Sequence, residues 1–458
     1  MKTVTPLLVI LCLASLGCRR EFPVAVVEFE PNRVLAYNIG QNAEISMEPA
    51  LEQSTRALAD AFGTPDEPKL PDYVLEDPDF GEMLSQDHLA AASGPADMEG
   101  RGLFRKHCAI CHGVTGNGRG TTAALINPYP RDFRMGQFKF KSTTRGGKPL
   151  KEDLAYVIRN GIPGTGMVKI QGLSDQDIKA LTDYVIYLSW RGEVERKLLV
   201  EAEFFAFDEG ESLYDPTLAE EPDERDIGQY IANAKEEAKE NEEEPAPDDE
   251  LKAEYLELRA EMWDEQQGIL EDFVFEVAES WLGAEERFFE LPERDESIVP
   301  ASFDALRSAT ASDADSPVKA SVLRGKELFL SDAAACAKCH GKEGRGDGQT
   351  NDYDDWTKDW TKNFNVSPTD EQSHIPLIAR GALPVRKVAP RNFESGLFHG
   401  GNTPEKLYRR IAQGIDGTPM PAATLKPEQI WDLVNFVRSM SKKSEEADSV
   451  EANKEAVL

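Results

Sequence analysis

Cys108-Ala109-Ile110-Cys111-His112 decides the reading of this chain, because Cys336-Ala337-Lys338-Cys339-His340 repeats it in the second half. The surroundings repeat as well. Gly100-x-x-x-Phe104 precedes the first pentapeptide and Gly325-x-x-x-Phe329 the second. Pro130-Arg131-Asp132-Phe133 matches Pro390-Arg391-Asn392-Phe393, and Gly161-Ile162-x-Gly164-Thr165-x-Met167 matches Gly414-Ile415-x-Gly417-Thr418-x-Met420. Each copy closes with an amphipathic helix. In the first, Ser174 caps with Asp177 three residues on, and Ile178, Leu181, Val185 and Leu188 form one stripe. In the second, Pro427 sits in the first turn, and Ile430, Leu433, Val437 and Met440 keep the same spacing.

Two cysteines three positions apart lie on one helical face and reach the two vinyl-derived carbons of one porphyrin, and the next histidine stands under its iron. The competing readings of such a pentapeptide are a disulfide, a thioredoxin-like redox pair or half a zinc site. None of them calls for His after the second Cys in both copies of a larger repeat. The expectation is two covalent c-type haems on Cys108, Cys111, Cys336 and Cys339, with His112 and His340 as proximal ligands. Met167 and Met420 occupy the same place in a Gly-rich turn before the closing helix. A lone Met is core filler, but two in register are expected as distal ligands. His399 or His374 is an alternative to Met420. A guanidinium fork matches a carboxylate, so Arg131 and Arg391 are candidates for the haem propionates, against a bland reading as surface arginines.

Both units resemble class I cytochrome c domains, over roughly 97–192 and 319–441. That resemblance implies an N-terminal helix crossing the closing helix at Gly100 and Gly325, with Phe104 and Phe329 beside the crossing. As a whole the layout is similar to exported dihaem cytochromes of bacterial respiratory chains. This implies single-electron transfer with partners such as a membrane oxidase or a quinol-oxidising complex. A dihaem peroxidase-like enzyme is the alternative, and a structural subunit of a respiratory assembly a third reading. The second unit departs from the pattern by its longer loop, Asn351 to Pro390.

The 458 residues include 83 Asp+Glu against 51 Lys+Arg, a formal charge of −32 that argues against nucleic acid as partner. The charge is uneven. Residues 201–300 hold 35 acidic and 7 basic side chains, 101–192 hold 6 and 15, and 319–441 hold 15 and 17. The acidic segment is expected to meet a basic partner, or to cover the basic first domain, which otherwise suits an acidic partner. Glu236 to Glu250, with Pro245 and Pro247, has a linker composition, flanked by a helix-like stretch from Leu251 to Phe289. Asp347, Asp352, Asp354 and Asp355 lack the pattern of a calcium loop, Trp356 and Trp360 suit lid packing, and His88 and His107 suit packing or surface roles.

Lys2, an apolar run from Val4 to Leu16 and then Gly17-Cys18 read as an export signal. Spanning a bilayer takes about 20 apolar residues, more than this run holds. Ser15-Leu16-Gly17-Cys18 resembles a bacterial lipoprotein cleavage box, apart from Ser15 where Leu is usual. It implies a lipid on Cys18 and a periplasmic protein tethered to a membrane surface, with ordinary cleavage near Cys18 as the alternative. The expected fold is mainly α, with two cytochrome c-like helical haem domains joined by an acidic, partly helical middle segment. Its parts are a signal peptide (1–17), an N-terminal extension (18–96), domain 1 (97–192), the acidic region (193–318), domain 2 (319–441) and a disordered tail (442–458). Residues 48 to 62 form the one clear helix of the extension, closed by Gly63 and Pro65.

Overall fold

The computed structural model describes residues 27–95, 99–311, 315–348 and 352–442. The export signal and Cys18 lie outside the described residues, as does the tail beyond 442. The described chain is mostly helical, with one two-stranded ribbon, β1 (Asp352–Tyr353) and β2 (Lys387–Val388), paired antiparallel. No described helix is long and apolar enough to cross a membrane.

The N-terminal extension forms α1 (Arg33–Ala43), α2 (Glu48–Phe62), α3 (Asp72–Glu76) and α4 (Gln86–Ala92). Helix α2 has the bounds its sequence announces: Pro49 lies in its first turn and Gly63, at φ 71°, ends it. Domain 1 follows with α5 (Leu103–His107), α6 (Ala109–His112), α7 (Lys151–Asn160) and α8 (Asp175–Glu201). Helix α8 opens with the expected capping box, in which the Ser174 hydroxyl accepts from Asp177 N–H and the Asp177 carboxylate accepts from Ser174 N–H.

Three expectations about this half change. First, α8 is not a one-stripe helix: Tyr184, Tyr187, Trp190, Val194 and Leu198 are buried along with Ile178, Leu181, Val185 and Leu188. It is surrounded, with α2, α4, α7 and the middle region packed about it in one core. Second, Gly100 is not a helix-crossing residue. It sits at φ 74° with nothing near its missing Cβ, and Gly102 at φ 80° follows. Left-handed backbone at both positions stops α5 from extending backwards, and α4 lies against α8 instead. Third, the presumed linker is mostly helix. Helices α9 (Glu224–Glu240) and α10 (Asp248–Leu282) form a hairpin joined only by 241–247. The Ala, Glu and Lys that made 236–240 look solvated are also strong helix formers. Leu270, Val274, Val277 and Trp281 of α10 enter the domain 1 core, while α9 and the first half of α10 keep most side chains exposed.

Domain 2 has its own core. After α11 (Phe303–Ala311), α12 (Pro317–Leu330) crosses the closing helix α17 (Pro427–Ser439), and a Cβ at Gly325 would collide with the Asp432 carbonyl. Here the expected helix crossing exists. Phe329, Phe393, Trp431 and Phe436 fill the space beside it. Between them lie α13 (Cys336–His340), α14 (Asp355–Thr361), α15 (Glu371–Ala379) and α16 (Pro404–Gln413).

The long loop of domain 2 lies against domain 1. Trp356 of α14 donates from Nε1 to Pro130 O at 2.9 Å, and Tyr129 donates to Pro384 O at 3.0 Å. Trp360 is fully buried near Tyr37 of the extension, and Asn38 donates to its carbonyl. The aspartates of this loop are engaged separately. Asp352 pairs with Lys358, Asp354 caps α14, and Asp355 meets Arg131.

Candidate functional site

Cys108 and Cys111 flank one helical turn and are half-buried free thiols; Cys336 and Cys339 are the same. Burial pushes the Cys108 thiol up to about 12 and that of Cys336 to about 11. Neither has the lowered pKa of an activated catalytic thiolate.

His112 Nδ1 lies 3.1 Å from Arg131 O, and His340 Nδ1 lies 3.2 Å from Arg391 O. A carbonyl only accepts, so Nδ1 carries the proton and Nε2 keeps its lone pair for a metal. The rings are steered further by stacking: His112 on Phe133 at 4.7 Å and 15°, His340 on Phe393 at 4.5 Å and 24°. Burial pushes His112 down to about 4 and His340 also downward, so both are neutral at neutral pH. The repeated Pro-Arg-(Asp/Asn)-Phe therefore acts through a backbone carbonyl and an aromatic ring, a role that reading only its guanidinium misses.

A second missed signal was present in the sequence. Gly113, Gly116, Gly118 and Gly120 recur as Gly341, Gly344, Gly346 and Gly348. Their backbone bonds recur too: Gly118 N–H to His112 O (2.8 Å) and Gly346 N–H to His340 O (2.9 Å); Phe133 N–H to Gly116 O (2.9 Å) and Phe393 N–H to Gly344 O (2.7 Å). A Cβ at Gly116 or Gly344 would lie 3.0 or 2.8 Å from the ring of Phe133 or Phe393, closer than van der Waals contact allows.

The methionine loops are equally matched. Ile162 N–H bonds Met167 O at 2.7 Å and Ile415 N–H bonds Met420 O at 3.2 Å. The Thr165 and Thr418 hydroxyls accept from the N–H of Met167 and Met420 at 3.0 and 3.2 Å. Both methionines are half-buried.

The arginines differ. Arg131 Nη1 lies 3.1 Å from Asp355, a carboxylate of the domain 2 loop, and Lys139 lies 3.8 Å from it. Arg391 donates to His399, and among the described residues meets no carboxylate. His399 lies beside Arg391 and Phe140, with Gly164 of the first methionine loop close by. Burial, then Arg391, pushes His399 down to about 4. His374 is packed edge-on to Trp360, with Nε2 engaged by Ser367 O at 2.8 Å. His88 is held by Asp183 and Gln176. Among the described residues no three His, Cys, Asp or Glu gather as a metal cluster.

Residues 98–189 and 322–441 each match the family described as Cytochrome c. The chain carries two cytochrome c domains. Such domains bind haem c covalently, and the donor set here fits that group: a paired-thiol turn, a histidine with Nε2 available, and a thioether loop in each copy. No curated relative matches the chain. A chain of the reducing HAO-like protein complex of Kuenenia stuttgartiensis is 20% identical over 74% of this chain and 94% of its own, with a TM-score of 0.38.

Proposed function

We propose that this protein carries single electrons on two haem c groups, one per cytochrome c domain, each ligated by His and Met. The matched cradle supports this reading above all. In both copies a carbonyl fixes the His tautomer, and a Gly-Ile-x-Gly-Thr-x-Met turn with the same backbone bonds carries the methionine. A bound haem c supplies a one-electron Fe(III)/Fe(II) couple, with a potential raised by thioether ligation. His112 and His340 would hold the iron through Nε2, Cys108, Cys111, Cys336 and Cys339 would carry the thioether bonds, and Met167 and Met420 would supply a second ligand to each iron. Arg391, which meets no carboxylate among the described residues, serves a propionate; Arg131 shares itself with Asp355.

The partners in this proposal are redox proteins of a respiratory chain, a membrane oxidase or a quinol-oxidising complex. The protein is exported, with lipid on Cys18 holding it at a membrane surface. The exposed acidic hairpin of α9 and α10 attracts a basic partner, so association slows as salt rises.

Intact mass together with a redox titration tests the reading. The mass should exceed the polypeptide by two haems, and the oxidised spectrum should be wholly low-spin, with the far-red charge-transfer band of thioether-ligated ferric haem. Met167→Ala or Met420→Ala should each convert one haem to a high-spin, lower-potential site. A colourless product, or an unchanged spectrum in both variants, overturns it.

A further inference from the structure

The two methionine loops differ at two positions, Pro163 and Gly166 in the first against Asp416 and Pro419 in the second, and only Asp416 brings a polar side chain. Asp416 turns away from its own domain. Its carboxylate is largely buried and accepts from Gly146 N–H at 3.0 Å, pairs with Lys141 Nζ at 2.6 Å and faces Arg145 Nε at 3.7 Å. All three partners belong to domain 1. Arg145 also donates from Nη1 to the carbonyl of Met420 itself at 3.1 Å, and its N–H reaches Gln413 Oε1 at 3.4 Å.

The domain 1 segment making these contacts is fixed from behind. Thr144 N–H donates to Arg287 O at 2.7 Å, Phe289 N–H donates to Ser142 O at 2.9 Å, and Arg287 Nη2 returns to Arg145 O at 3.2 Å. Lys141 Nζ additionally donates to Thr144 O at 3.1 Å and to Gly147 O. Residues 287–289 of the acidic middle region are thus part of the support.

We propose that Asp416 is a positioning residue through which domain 1 holds the distal ligand loop of the second haem in place. The inference rests on Met420 being that ligand. The clamp acts by making detachment of the loop costly: moving Met420 away breaks a largely buried, charge-assisted network anchored in the other domain. The first loop is held differently: Pro163 offers no carboxylate, and it is the backbone at Gly164 that lies against His399 of domain 2.

Imidazole, which displaces a methionine ligand, measures the cost directly. In a full-length Met167→Ala background the remaining thioether band reports the second haem alone. There, Asp416→Asn should let imidazole abolish the band at roughly one-tenth the wild-type concentration, as expected for losing an ionic hydrogen bond. Arg145→Gln, a change at a half-exposed side chain, should act in the same direction. Lys141→Met should add little once Asp416 is already Asn, because both break one interaction. If Met420→Ala removes its band while Asp416→Asn and Arg145→Gln leave imidazole affinity unchanged, the clamp is wrong and the ligand reading survives. If Met420→Ala leaves both bands intact, the ligand reading fails and the clamp with it.

Discussion

Trp356 offers the sharpest test of how the domains are joined. Its indole belongs to the domain 2 loop but is 8% exposed against domain 1, packed beside Tyr129 and Leu383. Its N–H donates to Pro130 O, the residue before the carbonyl that orients His112. Trp356→Phe keeps an aromatic ring but vacates part of the indole's space and leaves Pro130 O unpaired, costing about 1 kcal/mol or somewhat more. Trp356→Ala also opens a cavity, for about 3–5 kcal/mol in all. For a unit of this size that is about 3 °C for Phe and of order 10 °C for Ala. Calorimetry combined with haem absorption assigns each transition. The domain 1 transition should fall in the order wild type, Phe, Ala, and the domain 2 transition should move much less, because Phe329, Trp431 and Phe436 pack without Trp356. An unchanged domain 1 transition in Trp356→Ala refutes the anchoring argument.

Two further outcomes follow from single residues. His399 has a folded pKa of about 4 against 6.5 ordinarily, so between those values the unfolded chain binds a proton that the folded chain does not. Its contribution to stability is therefore present above pH 6.5 and lost as pH falls toward 4; thermal unfolding against pH should be flatter in His399→Gln, and parallel curves would contradict this. Gly325→Ala should destabilise domain 2 by about 1–3 kcal/mol, since its Cβ meets the backbone carbonyl of Asp432. Gly100→Asn, a residue tolerant of left-handed backbone, should be close to neutral by the same melt; equal losses at the two glycines would restore the crossing role to Gly100.

What the sequence disclosed was what local chemistry enforces. Cys-x-x-Cys-His, the methionine turns, the Ser174 cap and the Glu48–Phe62 helix each declare themselves within a few residues. The two-sided burial of α8 was illegible because its second coat comes from α2, α4 and α10, far away in sequence. Tyr184 and Tyr187 read as ordinary helix residues until Phe62, whose carbonyl accepts from the Tyr187 hydroxyl at 2.5 Å, arrives from the extension. At 236–240 the high charge suits solvent and helix alike, and the strong helix propensity of Ala, Glu and Lys decides. The glycine ladder was visible and unused: four glycines at identical spacing in both copies mark backbone that must run close to a ring.

The copies differ where they face one another, and this bears on their potentials. Lys139 corresponds to His399, Phe140 to Gly400 and Pro163 to Asp416. A Cβ at Gly400 would lie 2.6 Å from Phe140, so the ring of one copy occupies the side-chain space the other gave up. Two identical domains related by a two-fold axis would meet through a self-complementary patch; these meet through unlike residues at equivalent positions. The charges are unlike as well. Arg131 and Lys139 share Asp355, whereas Arg391 and Arg410 donate to neutral acceptors. Positive charge that no protein carboxylate offsets favours the reduced state of a nearby iron, and the propionates are common to both sites. A unit charge about 10 Å away acts with about 1.7 kcal/mol at an effective dielectric of 20, or about 70 mV for one electron. The second haem should therefore take up its electron first, and a redox titration should resolve two waves separated by an amount of this order. Arg391→Gln should draw the waves together. A single wave in the native protein, or a higher potential at the first haem in the Met variants' assignment, would mean that the interface charges do not set the order.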